Sequence, residues 1–213
     1  MYPPPPQVKP SPPKNLRAGC LPKVIFMSDA NRVPDWRAAL YALPTGAGVI
    51  CRDYKHPHRH ELATQMAALC HERGLYFSVA GDAGLALKTR AGLHCPEALA
   101  PRLARYFPLL RAQQTPVRQA PPLITMAAHS AQALKLAQTL HADAALLSPV
   151  FTTQSHPQQK PLGVVRSAGL IQNAQLPVYA LGGMGPDTLR RMRSTKLYGY
   201  AAIDHFKTPF KPK

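Results

Sequence analysis

Eight short apolar runs, recurring at roughly 25-residue spacing and separated by stretches of helical periodicity, restrict this chain more than any other feature. The runs are Lys23–Ser28, Gly48–Arg52, Leu75–Ala80, Ala91–His94, Leu123–Ala127, Ala144–Ser148, Val178–Leu181 and Gly199–Ile203. Helical spacing fills the gaps. Trp36, Leu40 and Leu43 mark one segment, and Leu62, Met66, Leu69 and Cys70 mark a second that Gly74 stops. Ala83–Arg90, Ala131–His141, Val164–Asn173 and a segment from Pro186 to Arg193 follow the same rule. Pro96–Arg118 is helix-compatible through Leu99, Leu103 and Phe107. Strands that are apolar on both faces and joined by helices belong in a parallel sheet, because each crossover must cover a face.

Eight such units predict an α/β fold of the (β/α)8 TIM barrel type in a single domain; a doubly wound open sheet is the alternative. The 213 residues suffice for one barrel and leave little beyond it. Residues 1–22 hold a run of prolines, which removes amide donors and blocks helix and central strand, so an extended, disordered leader is expected there. The barrel is expected over residues 23–206, followed by a basic tail, 207–213.

Lysine and arginine total 26 against 10 acids, a net charge of +16 that favours anionic partners. Nucleic acid is not the expected one, since no aromatic–basic platform or binding module is present. No apolar run reaches the ~20 residues of a membrane span, so no membrane partner is expected. Cys20, Cys51, Cys70 and Cys95 form no CxxC pair. Buried free thiols are expected of Cys51 and Cys70, consistent with a reducing cytoplasmic location.

In a parallel barrel the ligand site lies at the C-terminal ends of the strands. Those ends carry Asp29, Arg52 with Asp53 and Lys55, Asp82, His94, His129 with Ser130, residues 149–156, Gly182-Gly183, and Asp204-His205. That rim is rich in cations and imidazoles, the chemistry of an anion site. Gly182 and Gly183 close the seventh strand ahead of a helix start at Gly185-Pro186-Asp187. Bare backbone amides there suit a phosphate, and a tight turn without a ligand is the plain alternative.

These ends resemble those of thiamine phosphate synthase and its sister, the thiazole tautomerase, from about Val24 to Phe206. Ala142–Gly163 (ADAALLSPVFTTQSHPQQKPLG) and Pro177–Met184 (PVYALGGM) carry the resemblance most specifically. Val49–Arg52, Gly81-Asp82, Gly92–His94 and Ala128–Ser130 are weaker echoes. The resemblance implies that hydroxymethylpyrimidine pyrophosphate is joined to thiazole phosphate, with loss of pyrophosphate. Small phosphorylated substrates and a Mg2+ ion are implied with it.

Residue by residue, the resemblance implies that Arg52 binds pyrophosphate, that Asp82 is a magnesium ligand, and that Gly182 and Gly183 hold the thiazole phosphate with help from Thr153 and Ser155. Lys55, His156 and Ser130 join the binding set, His94 is placed to contact a ring substrate, and His129 is the tautomerase branch's acid–base group. The chain departs from the family pattern elsewhere. Ile50 replaces a glutamine, Tyr54 a lysine, Gly81 an asparagine and His156 a lysine, and Leu99 stands at a second metal carboxylate, with Glu97 nearby. Three readings follow: a synthase, a tautomerase-like enzyme that needs no metal, and a barrel that binds a phosphorylated ligand without turnover.

Several residues also have a plain structural reading. Asp82 and Ser130 suit helix N-caps, and His94 suits a filled barrel mouth. His56, His58 and His60 suit a solvated turn better than a metal site. Arg190, Arg191 and Arg193 suit a solvated helix face.

Overall fold

The computed structural model describes residues 21–113, 122–154 and 158–204. Most of the expected leader, the tail, and Ser155, His156 and His205 lie outside the described residues. The eight strands are β1 (Val24–Met27), β2 (Gly48–Cys51), β3 (Tyr76–Ala80), β4 (Gly92–Cys95), β5 (Ile124–Ala128), β6 (Ala144–Leu147), β7 (Val178–Ala180) and β8 (Gly199–Ala202). They close in sequence order into one parallel barrel. Closure is made where Ile25 of β1 pairs with Gly48 on one side and with Ala201 on the other.

The outer helices are α1 (Trp36–Ala42), α2 (Arg59–Glu72), α3 (Ala83–Lys88), α4 (Ala100–Leu103), α5 (Phe107–Arg111), α6 (Ala131–Thr139), α7 (Gly163–Asn173) and α8 (Pro186–Arg191). The longer ones turn an apolar stripe to the sheet, as α2 does with Leu62, Ala63, Met66 and Cys70 and α6 with Ala133, Leu134 and Ala137. Aspartate and serine start three of them: Asp35, Asp82 and Ser130 accept from Ala38, Leu85 and Ala133 N–H groups at 2.9–3.1 Å. Each such cap contributes about 1 kcal/mol.

The stretch expected as one helix from Pro96 to Arg118 is broken. A 3₁₀ turn at Glu97–Leu99, α4, a second 3₁₀ turn at Ala104–Tyr106 and α5 replace it. Pro101 and Pro108 are the cause. Each lacks an N–H and crowds the carbonyl four residues back, so each is found at the start of a helical turn.

The barrel floor reaches into the expected leader. Leu21 is buried, the Leu21 carbonyl accepts from Tyr198 Oη at 3.1 Å, and the Pro22 carbonyl accepts from the buried Tyr179 Oη at 2.6 Å. Cys51, Cys70 and Cys95 are buried free thiols. Burial raises Cys51 to about 11 and Cys95 to about 12, so neither supplies a thiolate nucleophile at neutral pH.

Candidate functional site

The loops after β6 and β7 are stitched together at the mouth. Val150 N–H donates to the Leu181 carbonyl at 2.9 Å, and Phe151 N–H to the Gly182 carbonyl at 3.1 Å. Gly182 and Gly183 take φ of +92° and +63°, in the left-handed region. A Cβ on Gly183 would lie 2.5 Å from the Thr152 carbonyl oxygen, so only glycine permits this approach. Among the described residues the Gly182 and Gly183 amides donate to no protein group, although both carbonyls accept hydrogen bonds. The two glycines border a cavity of about 220 Å³ that Arg32, Thr153 and Asp204 also line.

A second cavity, of about 190 Å³, lies over the barrel axis and shares Thr153, Leu181, Gly182 and Ile203 with the first. It brings together Arg52, Tyr54, His94 and His129. A third opening, of about 600 Å³, continues outward from Arg52 and Tyr54 along Lys55 and the loop after β1. The mouth is therefore one connected depression, with the diglycine turn at one side and Arg52 toward the other.

Arg52 follows β2 and is held from two directions. Its backbone N–H donates to Ser28 Oγ at 2.9 Å, and its guanidinium pairs with Asp29 at 2.9 Å. Ser28 in turn donates to Asp53, which also accepts from the Ala30 N–H at 2.6 Å. A hydroxyl and two carboxylates thus fix the loops after β1 and β2 against each other.

The two cavity imidazoles differ in kind. His94 is buried, with Nδ1 2.9 Å from Thr125 Oγ1. Burial, reinforced by the Arg52 charge, lowers its pKa to about 4. His94 is therefore a neutral hydrogen-bonding group at neutral pH and adds nothing to the cationic rim read from the sequence. His129 is partly exposed, and its Nδ1 lies 2.7 Å from Glu97 Oε2, which also accepts the His129 backbone N–H at 3.1 Å. A carboxylate on Nδ1 favours the proton there and leaves Nε2 as the basic nitrogen.

Asp82 and Ser130 sit at strand ends but line none of these cavities. Ser130 Oγ caps α6. Asp82 Oδ1 caps α3, and Oδ2 faces Arg59 Nη1 at 3.4 Å. Lys55 lines only the outer opening. His60 lies within α2 rather than on one turn with His56 and His58, and His56 Nδ1 accepts the His58 N–H at 3.1 Å. Of the helix arginines, Arg191 stacks over Phe151, 4.9 Å from the ring centroid.

Sequence reasoning missed Arg32, which pairs with Asp204 beside the diglycine turn. It also gave no role to Tyr54 or Glu97. Glu97 could have been found only by knowing that Pro96 ends β4 and points the next residue across to the end of β5.

Fold and site define the class: a (β/α)8 barrel whose C-terminal mouth brings an arginine, two imidazoles and a diglycine turn to one depression. Residues 29–206 match the family model described as Thiamine monophosphate synthase, and the chain belongs to that family. It is 29% identical over 158 residues to the Putative thiamine-phosphate synthase 2 of Aquifex aeolicus, covering 73% of this chain and 78% of that protein. It is 30% identical over 172 residues to the Thiamine-phosphate synthase of a Synechococcus strain, covering 76% of this chain and 44% of that longer protein. The fold superimposes on the thiamine phosphate pyrophosphorylase of Pyrococcus furiosus with a TM-score of 0.68 at 22% identity, covering 87% of each chain.

Proposed function

We propose that this chain joins hydroxymethylpyrimidine pyrophosphate to thiazole phosphate and releases pyrophosphate, as a transferase of thiamine biosynthesis. One observation carries the reading. The Gly182-Gly183 turn, whose amides have no protein acceptor among the described residues, and Arg52 line one connected mouth, so two phosphorylated groups have separate holds. The methylene carbon–oxygen bond breaks and its electron pair leaves with pyrophosphate. The thiazole nitrogen lone pair then forms the new carbon–nitrogen bond. Arg52 and Lys55 meet the departing charge, and the diglycine amides with the Thr153 hydroxyl orient the thiazole phosphate. Ser155 and His156 belong to the same proposed set. His94 offers a neutral ring nitrogen, and its anchored Nδ1 keeps that ring in place.

The resemblance also implies magnesium, with Asp82 as ligand. Both Asp82 oxygens are engaged, one by the Leu85 N–H and one by Arg59. Among the described residues no group of three His, Cys, Asp or Glu lies close enough to hold a metal ion. A magnesium ion needs only one or two carboxylates beside substrate oxygens, so the poor fit lies at Asp82 itself, whose second oxygen faces a guanidinium, and no step is routed through the ion. Nor is any helix of the described residues long and apolar enough to cross a membrane. The functional setting proposed is the cytoplasm, with small phosphorylated substrates as the partners.

A second reading is favoured by the contact between His129 and Glu97: a tautomerase-like proton transfer on a thiazole phosphate, with Nε2 as base. The deciding experiment incubates purified protein with both phosphorylated substrates and follows thiamine phosphate and pyrophosphate by chromatography. Stoichiometric appearance of the two supports the synthase. Thiazole isomerisation without condensation replaces it with the second reading. Ligand binding without either reaction overturns both and leaves a binding barrel.

A further inference from the structure

Arg59, the first residue of α2, ties together three features of the mouth. Its Nη1 lies 3.4 Å from Asp82 Oδ2, and its Nη2 donates to the Ala80 carbonyl at 2.5 Å. Its guanidinium carbon lies 5.4 Å from the Tyr54 ring centroid, within cation–π range. The side chain is only 15% exposed. Tyr54 rests on Gly81, where an added Cβ would stand 3.2 Å from Tyr54 Cε1. Tyr54, Gly81 and Asp82 are thus one contact set with Arg59 behind it: the bare glycine admits the ring, and the guanidinium holds both the ring and the carboxylate.

Asp82 lies beside the mouth, behind the cavity-lining Tyr54 and Gly81, and its charge acts through space against an anionic ligand at Arg52 unless it is neutralised. A divalent ion could do that, but it would have to sit about 2 Å from a carboxylate oxygen. One oxygen accepts the Leu85 N–H at the helix cap. The other already faces a guanidinium held in place by a backbone carbonyl and a ring, and that cation would repel the ion. We propose that Arg59 supplies from within the chain the positive charge a divalent ion would bring to Asp82, so that the site takes its diphosphate group without a divalent metal. The arrangement divides the work: Arg52 faces the cavity, while Arg59 stays behind Tyr54 and neutralises the carboxylate. The synthase reading enters only through the choice of diphosphate as probe.

The test uses the full chain and two measurements that need no turnover. Electron paramagnetic resonance of Mn2+ reads metal binding directly, and calorimetry reads the affinity for inorganic pyrophosphate in EDTA and in Mg2+. Wild type is expected to show no stoichiometric Mn2+ site and a pyrophosphate affinity that differs by less than about twofold between the two buffers. Arg59→Gln is expected to lower pyrophosphate affinity in EDTA about tenfold, to regain it with Mg2+, and to bind one Mn2+. Arg59→Lys, which keeps the charge, is expected to remain independent of metal. The proposal is overturned if wild type binds one Mn2+ that Asp82→Asn removes, or if Mg2+ raises wild-type pyrophosphate affinity tenfold or more. Both results stand even where Arg59→Gln does not fold. A chain that binds no pyrophosphate in either buffer refutes the synthase reading, and the manganese measurement alone then decides this proposal.

Discussion

Replacing His94 by asparagine should flatten a defined part of the pH dependence of stability. The ring is buried at the cavity and its pKa falls from 6.5 to about 4, first because burial disfavours the imidazolium and then because Arg52 repels it. The folded pKa lies below the unfolded one, so between the two values the unfolded chain holds the extra proton. Stability therefore rises with pH across that window, and the penalty is complete below about pH 4. A drop of this size corresponds to roughly 3 kcal/mol in full and to roughly 2 kcal/mol at pH 5. Asparagine keeps an amide near the position of Nδ1 for Thr125 and cannot titrate. Its cavity cost is the same at every pH and cancels in the comparison. Urea unfolding followed by fluorescence of the single tryptophan, Trp36, at pH 7.5 and pH 5 measures the difference. The gap between wild type and His94→Asn should move by about 2 kcal/mol in favour of the variant as the pH falls. Carboxylates that titrate in the same range affect both proteins and drop out. Parallel stability curves, or a His94 ring that titrates near its ordinary value by NMR, would refute both the neutral assignment and its role as an uncharged ring contact.

Two further predictions concern the rim. Gly183→Ala should destabilise the fold by more than about 1 kcal/mol, since alanine is strained at φ +63° and its Cβ would meet the Thr152 carbonyl, and it should weaken binding of inorganic phosphate measured by calorimetry. Unchanged phosphate affinity would remove the diglycine turn from the site. Glu97→Gln should leave the unfolding midpoint within the range of an exposed substitution, yet change which His129 nitrogen carries the proton, visible in 15N shifts of the ring; if the second reading holds, His129→Ala should cost about a hundredfold in isomerisation.

The barrel was legible because its signal is periodic. Each strand is a short apolar run and each crossover an apolar stripe, so β1 to β8 could be placed from pattern alone, to within a residue or two at their ends. The segment after β4 was less legible. Its apolar spacing is helical, but Pro101 and Pro108 decide where hydrogen bonds can form, and they cut it into short turns. Strand-end position located Arg52, His94, His129 and Gly182 at one cavity. It could not say what each residue spends its polar atoms on. Asp82 and Ser130 share that address, yet both face helix N-termini and cap them. Contacts between separate loops, such as Glu97 with His129 and Arg32 with Asp204, leave no trace in a linear sequence because nothing in it fixes which loops meet.

Bulk charge misleads about the mouth. A net charge of +16 suggests a strongly positive entrance, yet three of the rim arginines face aspartates: Arg52 with Asp29, Arg59 with Asp82 and Arg32 with Asp204. Each pair cancels most of its own long-range field, so diffuse attraction does little to distinguish this mouth from the rest of a basic surface. Recognition here has to come from direction and distance. The Gly182 and Gly183 amides are fixed dipoles that lose no side-chain entropy on meeting a phosphate. Arg52 is held by Asp29 and by its own backbone hydrogen bond to Ser28, so it meets a ligand already oriented. Paired arginines also discriminate against an anion without several oxygens, such as chloride, because only a ligand with several oxygens can replace a carboxylate without leaving a guanidinium N–H unpaired. A rim built this way selects for phosphoryl groups carried on a larger body that fills the cavity between the two holds.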